Sequence, residues 1–537
     1  MRVLCLGLDG ADFDLVQELR GQGKLPTIGR LAGRGTFGPL RSTIPAATPT
    51  AWSSFLTGLN PGGHGIFNFS TNPNRSLERV ESAASRGGAP FWRTLGAAGH
   101  RSAFVTVPFT FPPEPLDGVL VSGYGGPLEP AILPAAARER ILERHPGLVT
   151  AHHPMKERWW ENFDGFTQKL LDHVDQIADV CKLAMELEPD LALLCVDFMS
   201  ADFAGHLGWH RLDPNHPAHR PEEAGDELVR VYQAVDAACG ELAEEAERRY
   251  GEEPTVLVLS DHGMKPIYWT FHLNRWLEEA GLLRYRRRSL QRLRRTRLDY
   301  LAKVDQRLVR TRKPYGRAFD RLPLPAAPED RLFADIDFGS TRAYAFGYGG
   351  QLFLGEASGA LGDAGLEREL VAALEGVRHP ATDEPALEVH RKADLYHGPF
   401  VHKAPDLVLL PRDERLHIDA SRWGWEQPFD RHEQLDPAHA YGYSGHHSLR
   451  GILAAAGPGI GEAPLPEGAE ITQLPATLLA LLGVDASLDG APLDAILDRE
   501  GTREKVTVAT TAASEESVYD EDEEAAMLER LRDLGYE

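Results

Sequence analysis

Cysteine is scarce in this chain: four residues in 537, Cys5, Cys181, Cys195 and Cys239, all far apart. No two of them have the spacing of a zinc knuckle, so any metal must be held by oxygen and nitrogen. Reduced, buried thiols are expected instead. Long apolar runs are missing as well, and none reaches the roughly 18 to 20 residues that a membrane span needs. No basic region, signal-length apolar stretch or small-residue cleavage site stands ahead of the first apolar run, so a cytoplasmic protein is expected. Positive charge is in deficit, and the formal net charge of −23 argues against a general nucleic-acid binder. No internal repeat is visible.

What remains is an ordinary globular composition, with 26% charged and 42% hydrophobic residues. Apolar runs at Val3–Leu8, Ala103–Val107, Leu191–Val196, Thr255–Leu259 and Gly451–Ala456 read as buried strands. A helical pattern from Phe166 to Ala184 precedes the third of these. Another, from Glu222 to about Arg249, precedes the fourth and carries Leu228, Val231, Val235, Ala238 and Leu242 on one face. This alternation predicts an α/β fold, a three-layer α/β/α sandwich around a mainly parallel sheet.

Composition divides the chain further. Residues 1–268 and 441–498 read as two parts of one catalytic core, and 269–440 as an inserted cap with a glycine-rich turn at Gly347–Gly350. Within the cap, residues 285–313 are crowded with arginine, from Arg286 to Arg312, while Leu290, Leu293, Leu301, Val304 and Leu308 recur at helical spacing. Such a basic amphipathic helix suits peripheral contact with an anionic membrane or pairing with the chain's own acids. Residues 499–537 read as an acidic tail, with a linker over Gly501–Asp522 and a short docking helix through Leu528, Leu531 and Leu534.

The chemistry lies at the strand ends. Asp9 follows the first strand and Asp261-His262 follow the fourth, where ligands gather in open α/β sheets. Asp202 and His206 are four residues apart, so on one helical turn they share a face and can grip one ion. Two divalent metals about 4 Å apart can supply a nucleophile, neutralise phosphoryl oxygens and help an ester oxygen leave. Carboxylate and imidazole are the ligands that such ions take. Pro49 suits the first helical position, which makes Thr48 an N-cap. That threonine is either a plain cap or, facing free amides and a helix dipole, a group placed to hold a phosphoryl and attack it.

Taken singly, each piece has a structural reading. Asp9-Gly10 is a common strand-to-turn dipeptide, and Asp202 with His206 suits a capping acid beside a solvated histidine. His64, His152, His153, His210 and His272 are read the same way, as surface or satisfied histidines.

Together these stretches resemble the alkaline phosphatase superfamily. They are Leu8-Asp9-Gly10, Thr48 to Gly58, Asn60-Pro61-Gly62-Gly63-His64-Gly65-Ile66-Phe67, Asp202 to His206, Ser260 to Met264, and Gly445-His446-His447 before Gly451-Ile452. The similarity is to its type I phosphodiesterase and nucleotide pyrophosphatase branch, from the first strand to about Leu482. The C-terminal Leu531-Arg532-Asp533-Leu534-Gly535-Tyr536 resembles a common ending among prokaryotic relatives.

The resemblance implies two divalent metal ions, zinc or in some branches manganese. Asp9, Thr48, Asp261 and His262 would hold one, and Asp202, His206 and His447 the other. His447 suits the family spacing to Gly451 better than His446. The resemblance also implies that Thr48 attacks phosphorus to give a phosphothreonine. Two asparagines of the nucleotide-cleaving relatives are replaced: Ala51 stands three residues after Thr48, and Phe69 stands where a phosphoryl-binding asparagine is expected, with Asn68 one residue early. Ser448 takes the place of an arginine found after the last histidine in many relatives.

The expected activity is hydrolysis of a small phosphate ester, with a nucleotide or a lipid headgroup as substrate candidates. Two other readings stand beside it: a membrane-surface adaptor built on the arginine-rich helix, and a cofactor-independent phosphoglycerate mutase-like phosphotransferase. Oligomeric state is not readable from the sequence.

Overall fold

The computed structural model describes residues 2–71, 79–123, 128, 130–150, 162–285, 336–355, 364–420, 427–435 and 443–498, with short stretches between 503 and 528. Eight strands form the central sheet: β1 (Val3–Leu8), β2 (Thr36–Arg41), β3 (Arg101–Val105), β4 (Gly118–Val121), β5 (Ile132–Leu133), β6 (Leu191–Phe198), β7 (Thr255–Leu259) and β8 (Arg450–Ala456). Their spatial order is β2-β8-β7-β1-β6-β3-β4-β5. The five strands β7, β1, β6, β3 and β4 run parallel. β8 is antiparallel to both β7 and β2, and β5 to β4.

The unbroken apolar runs are explained by cover on both faces. Side chains alternate across a strand, so β1 sends Leu4, Leu6 and Leu8 into one core and Val3 and Cys5 into another. The first core is closed by α2 (Phe163–Leu187) and α4 (Glu227–Tyr250), through Leu170, Val174, Ile177, Val231, Val235 and Leu242. The second is closed by α1 (Thr48–Thr57), with Trp52 and Phe55, and by helices Phe91–Ala97 and Leu474–Leu481. The fold is therefore the expected three-layer α/β/α sandwich with a mainly parallel sheet. All four cysteines are free and buried.

Local boundaries differ from expectation in three places. α4 begins at Glu227 rather than Glu222, because Pro221–Glu223 make a separate 3₁₀ turn before Gly225. β3 spans Arg101–Val105 rather than Ala103–Val107, since Thr106 leaves the extended region with φ 54°. Thr48 is the first residue of α1 rather than its cap: Ala47 occupies the cap position with extended φ and ψ, and Pro49 lies in the first turn. Proline is tolerated throughout that turn, so its place alone leaves the boundary open by a residue.

Between β7 and β8 a third apolar cluster forms around Phe271, Leu277, Leu352, Leu374 and Leu409. It packs on a four-stranded antiparallel sheet whose hairpin Ala343–Ala345/Gln351–Leu354 turns through Gly347–Gly350. The arginine-rich stretch Arg286–Arg312, His152-His153, and Leu531 and Leu534 lie outside the described residues. Within the stretch read as a linker, Glu504–Lys505 pair with Val484–Asp485, and Tyr519 is buried and stacks on Phe111. No helix among the described residues is long and apolar enough to cross a membrane.

Gly7 shows how tightly the sheet supports the strand ends. A Cβ there would come within 2.8 Å of Asp197 Oδ1 and 2.9 Å of the Trp52 ring. Gly7→Ala is expected to destabilise the fold by about 1–3 kcal/mol through overpacking. Urea unfolding checks this, and an unchanged midpoint would show that the neighbours yield freely.

Candidate metal and phosphoryl-transfer site

The parallel strands deliver their acids to one edge. After β1 the chain must turn sharply at Gly10, with φ 68°, where a Cβ would lie 2.9 Å from Asp202 Oδ1. The turn lets the Gly10 amide donate to Asp261 Oδ1 at 3.2 Å, which ties the ends of β1 and β7 together. Asp202 and His206 sit one turn apart on α3 (Ser200–Leu212), which follows β6. His447 arrives on a short ribbon, Gly263–Pro266 paired antiparallel with Gly445–Ser448, in which it stands opposite Met264.

Two triads result, and all six side chains are buried. In the first, His262 Nε2 lies 3.6 Å from Asp9 Oδ1 and 3.3 Å from Asp261 Oδ2. In the second, His447 Nε2 lies 3.2 Å from Asp202 Oδ1, and His206 Nε2 lies 3.5 Å from the same oxygen. The rings of His262 and His447 stack at 3.7 Å, so the triads adjoin. The Thr48 hydroxyl is 3.2 Å from His262 Nε2.

Hydrogen bonding fixes the imidazoles in one tautomer. Nδ1 of His206 donates to the Gly445 carbonyl at 2.9 Å, that of His447 to Ala46 at 3.0 Å, and that of His262 to Gly263 at 3.1 Å. A carbonyl only accepts, so in each neutral ring Nε2 carries the lone pair. The Nε2 atoms of His206 and His447 then face each other at 3.0 Å with no hydrogen between them. Asp9 Oδ1, Asp202 Oδ1 and Asp261 Oδ2 are likewise buried without a hydrogen-bond partner. Lone pairs and carboxylate oxygens converging without a proton are what a divalent cation requires. The residues therefore fit the implied metals.

Electrostatics agree. Burial pushes the Asp9 carboxyl well above its ordinary range, with Asp261 and Asp202 adding to the effect. Burial likewise raises Asp261 to about 8. Burial, then neighbouring His262, brings His447 down to about 3, which keeps it neutral.

A family profile described as type I phosphodiesterase / nucleotide pyrophosphatase matches residues 3–331, which include six of the seven predicted ligands. This chain belongs to that family. As a type I phosphodiesterase it is a phosphoric ester hydrolase of a two-metal enzyme family. No curated protein matches the chain. Among solved structures, human ectonucleotide pyrophosphatase / phosphodiesterase 5 is 15% identical, with 93% of this chain and 100% of that one covered and a TM-score of 0.49. The murine protein, as an inactive variant in complex with AMP, is 15% identical, with 92% and 100% covered and a TM-score of 0.48.

Every predicted ligand is thus brought together, and His446 is turned away, donating from Nε2 to the Glu414 carbonyl at 2.7 Å. Asn68 is buried, and among the described residues its amide has no partner at either polar atom. It packs against Gly347, where a Cβ would be 2.2 Å from Asn68 Nδ2. Phe69 instead packs in the main core near Phe109. His64 is satisfied by Ser54 at 2.9 Å, and His272 by Asp419 at 2.9 Å.

Three neighbours escaped the sequence reading. Trp52, one turn after Thr48, donates from Nε1 to Asp9 Oδ2 at 3.0 Å. The Tyr348 hydroxyl accepts from the His447 amide at 2.6 Å. Asp197 lies fully buried on β6, with neither carboxyl oxygen hydrogen-bonded among the described residues. An acid inside the apolar run Leu191–Phe198 was the available signal for it.

Trp52→Phe keeps the packing and removes the bond to Asp9. The expected result is a loss of about 10-fold in affinity for one of the bound divalent ions, read by competition with a chromophoric chelator. Unaltered affinity would mean that Asp9 needs no such support.

Proposed function

We propose that this chain hydrolyses small phosphate esters by covalent catalysis at Thr48, through a phosphothreonine intermediate. The observation that carries the reading is the Thr48 hydroxyl itself. It caps no helix amide, is buried, and points at His262 Nε2 beside two carboxylates. A capping threonine would have spent that oxygen on the backbone.

Asp9, Thr48, Asp261 and His262 would hold one divalent ion, and Asp202, His206 and His447 the other. The nitrogen-rich second set favours zinc over manganese. Such ions, when bound, neutralise the phosphoryl oxygens and lower the pKa of an adjacent hydroxyl. The protein's part is to hold the groups. Thr48 Oγ1 stands at the first turn of α1, whose free amides favour an anion in front of it. In-line attack forms the bond from Oγ1 to phosphorus while the ester oxygen leaves, and water then cleaves the phosphothreonine. Trp52 fixes Asp9, and the carbonyls of Ala46, Gly263 and Gly445 keep the imidazoles aligned. Asn68, with its unpartnered amide at the turn beside Tyr348, would bind a phosphoryl oxygen.

Thr48→Ala is expected to retain bound metal but lose about 10³-fold or more in kcat on bis(4-nitrophenyl) phosphate. Acid-quench trapping should show phosphate on the wild-type threonine. Full metal-dependent activity in Thr48→Ala would overturn the assignment. For Asn68→Ala, kcat/KM should fall about 10-fold with metal content intact. An unchanged value would remove Asn68 from the site.

A further inference from the structure

A pocket opens beside the second triad, with an open volume of about 580 Å³ including its mouth. Its inner wall is Ala46, two residues before Thr48, together with His447 and Ser448. The outer walls come from the segment inserted between β7 and β8: Tyr348, the strand Leu409–Pro411, and Leu416 to Ile418. The pocket thus adjoins the groups placed around the phosphoryl and is open to solvent at its mouth.

Its charge is unusual for a protein that handles phosphate. Glu414 is the sole charged side chain among its described lining residues. The cations nearby are shared with other acids. Lys265 stands 4.0 Å from Glu414 but is held more closely by Asp12 at 2.9 Å and Asp14 at 2.6 Å, and Arg450 reaches Asp14 at 3.3 Å. Arg415 pairs with Asp413 at 2.9 Å and lies over the Tyr268 ring. His417, between the rings of Tyr348 at 6.0 Å and His446 at 5.3 Å, makes no hydrogen bond among the described residues. Burial brings it down to about 4, so it presents a neutral imidazole.

We propose that this pocket receives the organic group esterified to the phosphoryl, that this group is uncharged and mainly apolar, and that the pocket rejects an anionic one. The proposal rests on the Thr48-centred reading and adds the substrate class to it. A carboxylate or second phosphate placed here would lose its hydration and meet Glu414, whose cationic neighbour Lys265 is already shared with Asp12 and Asp14. An aryl or alkyl group would instead bury apolar surface against Leu410, Pro411 and Leu449, which line the pocket and are only partly buried.

The test uses the metal-loaded full chain and three mixed 4-nitrophenyl phosphodiesters whose second group is methyl, phenyl or 4-carboxyphenyl, all losing 4-nitrophenolate. The phenyl ester should exceed the methyl ester about 10-fold in kcat/KM, chiefly through KM, and the carboxyphenyl ester should fall about 10-fold below the phenyl one. His417→Arg places a cation in the pocket and should narrow or reverse the second preference. Three wild-type values within about 3-fold of each other would overturn the pocket and leave the hydrolase reading intact. A carboxyphenyl ester preferred by the wild type would overturn it equally. No turnover of any ester, methyl included, would instead sink the Thr48 reading and the pocket with it.

Discussion

Buried negative charge at one edge of the sheet is the constraint on which the site depends. Asp9, Asp197, Asp202 and Asp261 are all buried, and the charged neighbours that act on Asp9 are Asp261, Asp202 and His262. Among the described residues, no lysine or arginine is one of the strongest influences on it. Four acids so placed cannot all ionise in a protein interior without added positive charge. Divalent cations would supply it, at the two groups where the acids converge with His206, His262 and His447. Structure and chemistry are therefore coupled: the groups that would be most costly to bury in the metal-free chain are the ones that a bound metal makes favourable.

The backbone is organised to hold this charge in place. β1 and β7 are neighbours in the sheet, so Asp9 and Asp261 emerge side by side without help from loops. β6 lies on the other side of β1 and leads directly into α3, which brings Asp202 over Gly10. Asp197 pairs in register with Gly7, where the missing side chain leaves it room. Glycine at 7 and 10 thus serves the acids.

Most of the sheet was legible because its strands are buried on both faces and carry unbroken apolar runs. The acids and histidines that the fold gathers were legible because Asp9, Asp261 and His262 stand at the ends of such runs and Asp202 and His206 at a helical spacing, whereas His447 was found through the family resemblance alone. What escaped depends on contacts across long sequence distances. Trp52 and Asp9 are 43 residues apart, and Tyr348 and His447 are 99 apart. Neither pairing leaves a local pattern. The pocket is harder still, since residue 46, residues 348–349, 409–418 and 446–449 meet there only after the inserted segment folds back on the core. Thr48 was misplaced by one residue because a proline in the first turn fits two adjacent positions equally well. That one residue matters, since it frees the hydroxyl from capping.

The ribbon of Gly263–Pro266 with Gly445–Ser448 explains why the two triads share one geometry. His262 directly precedes one strand of the ribbon, and His447 lies in the other, opposite Met264. The stacked rings at 3.7 Å follow from that register. A one-residue slip would turn His447 to the opposite face and put His446 in its place. The slip is opposed by bonds on both sides: His446 to the Glu414 carbonyl, and His447 to Ala46 and the Tyr348 hydroxyl. Two of these partners, Glu414 and Tyr348, belong to the inserted segment. The segment that walls the pocket therefore also sets the register of the strand that carries His447, so that the second triad and the pocket wall are positioned by the same set of contacts.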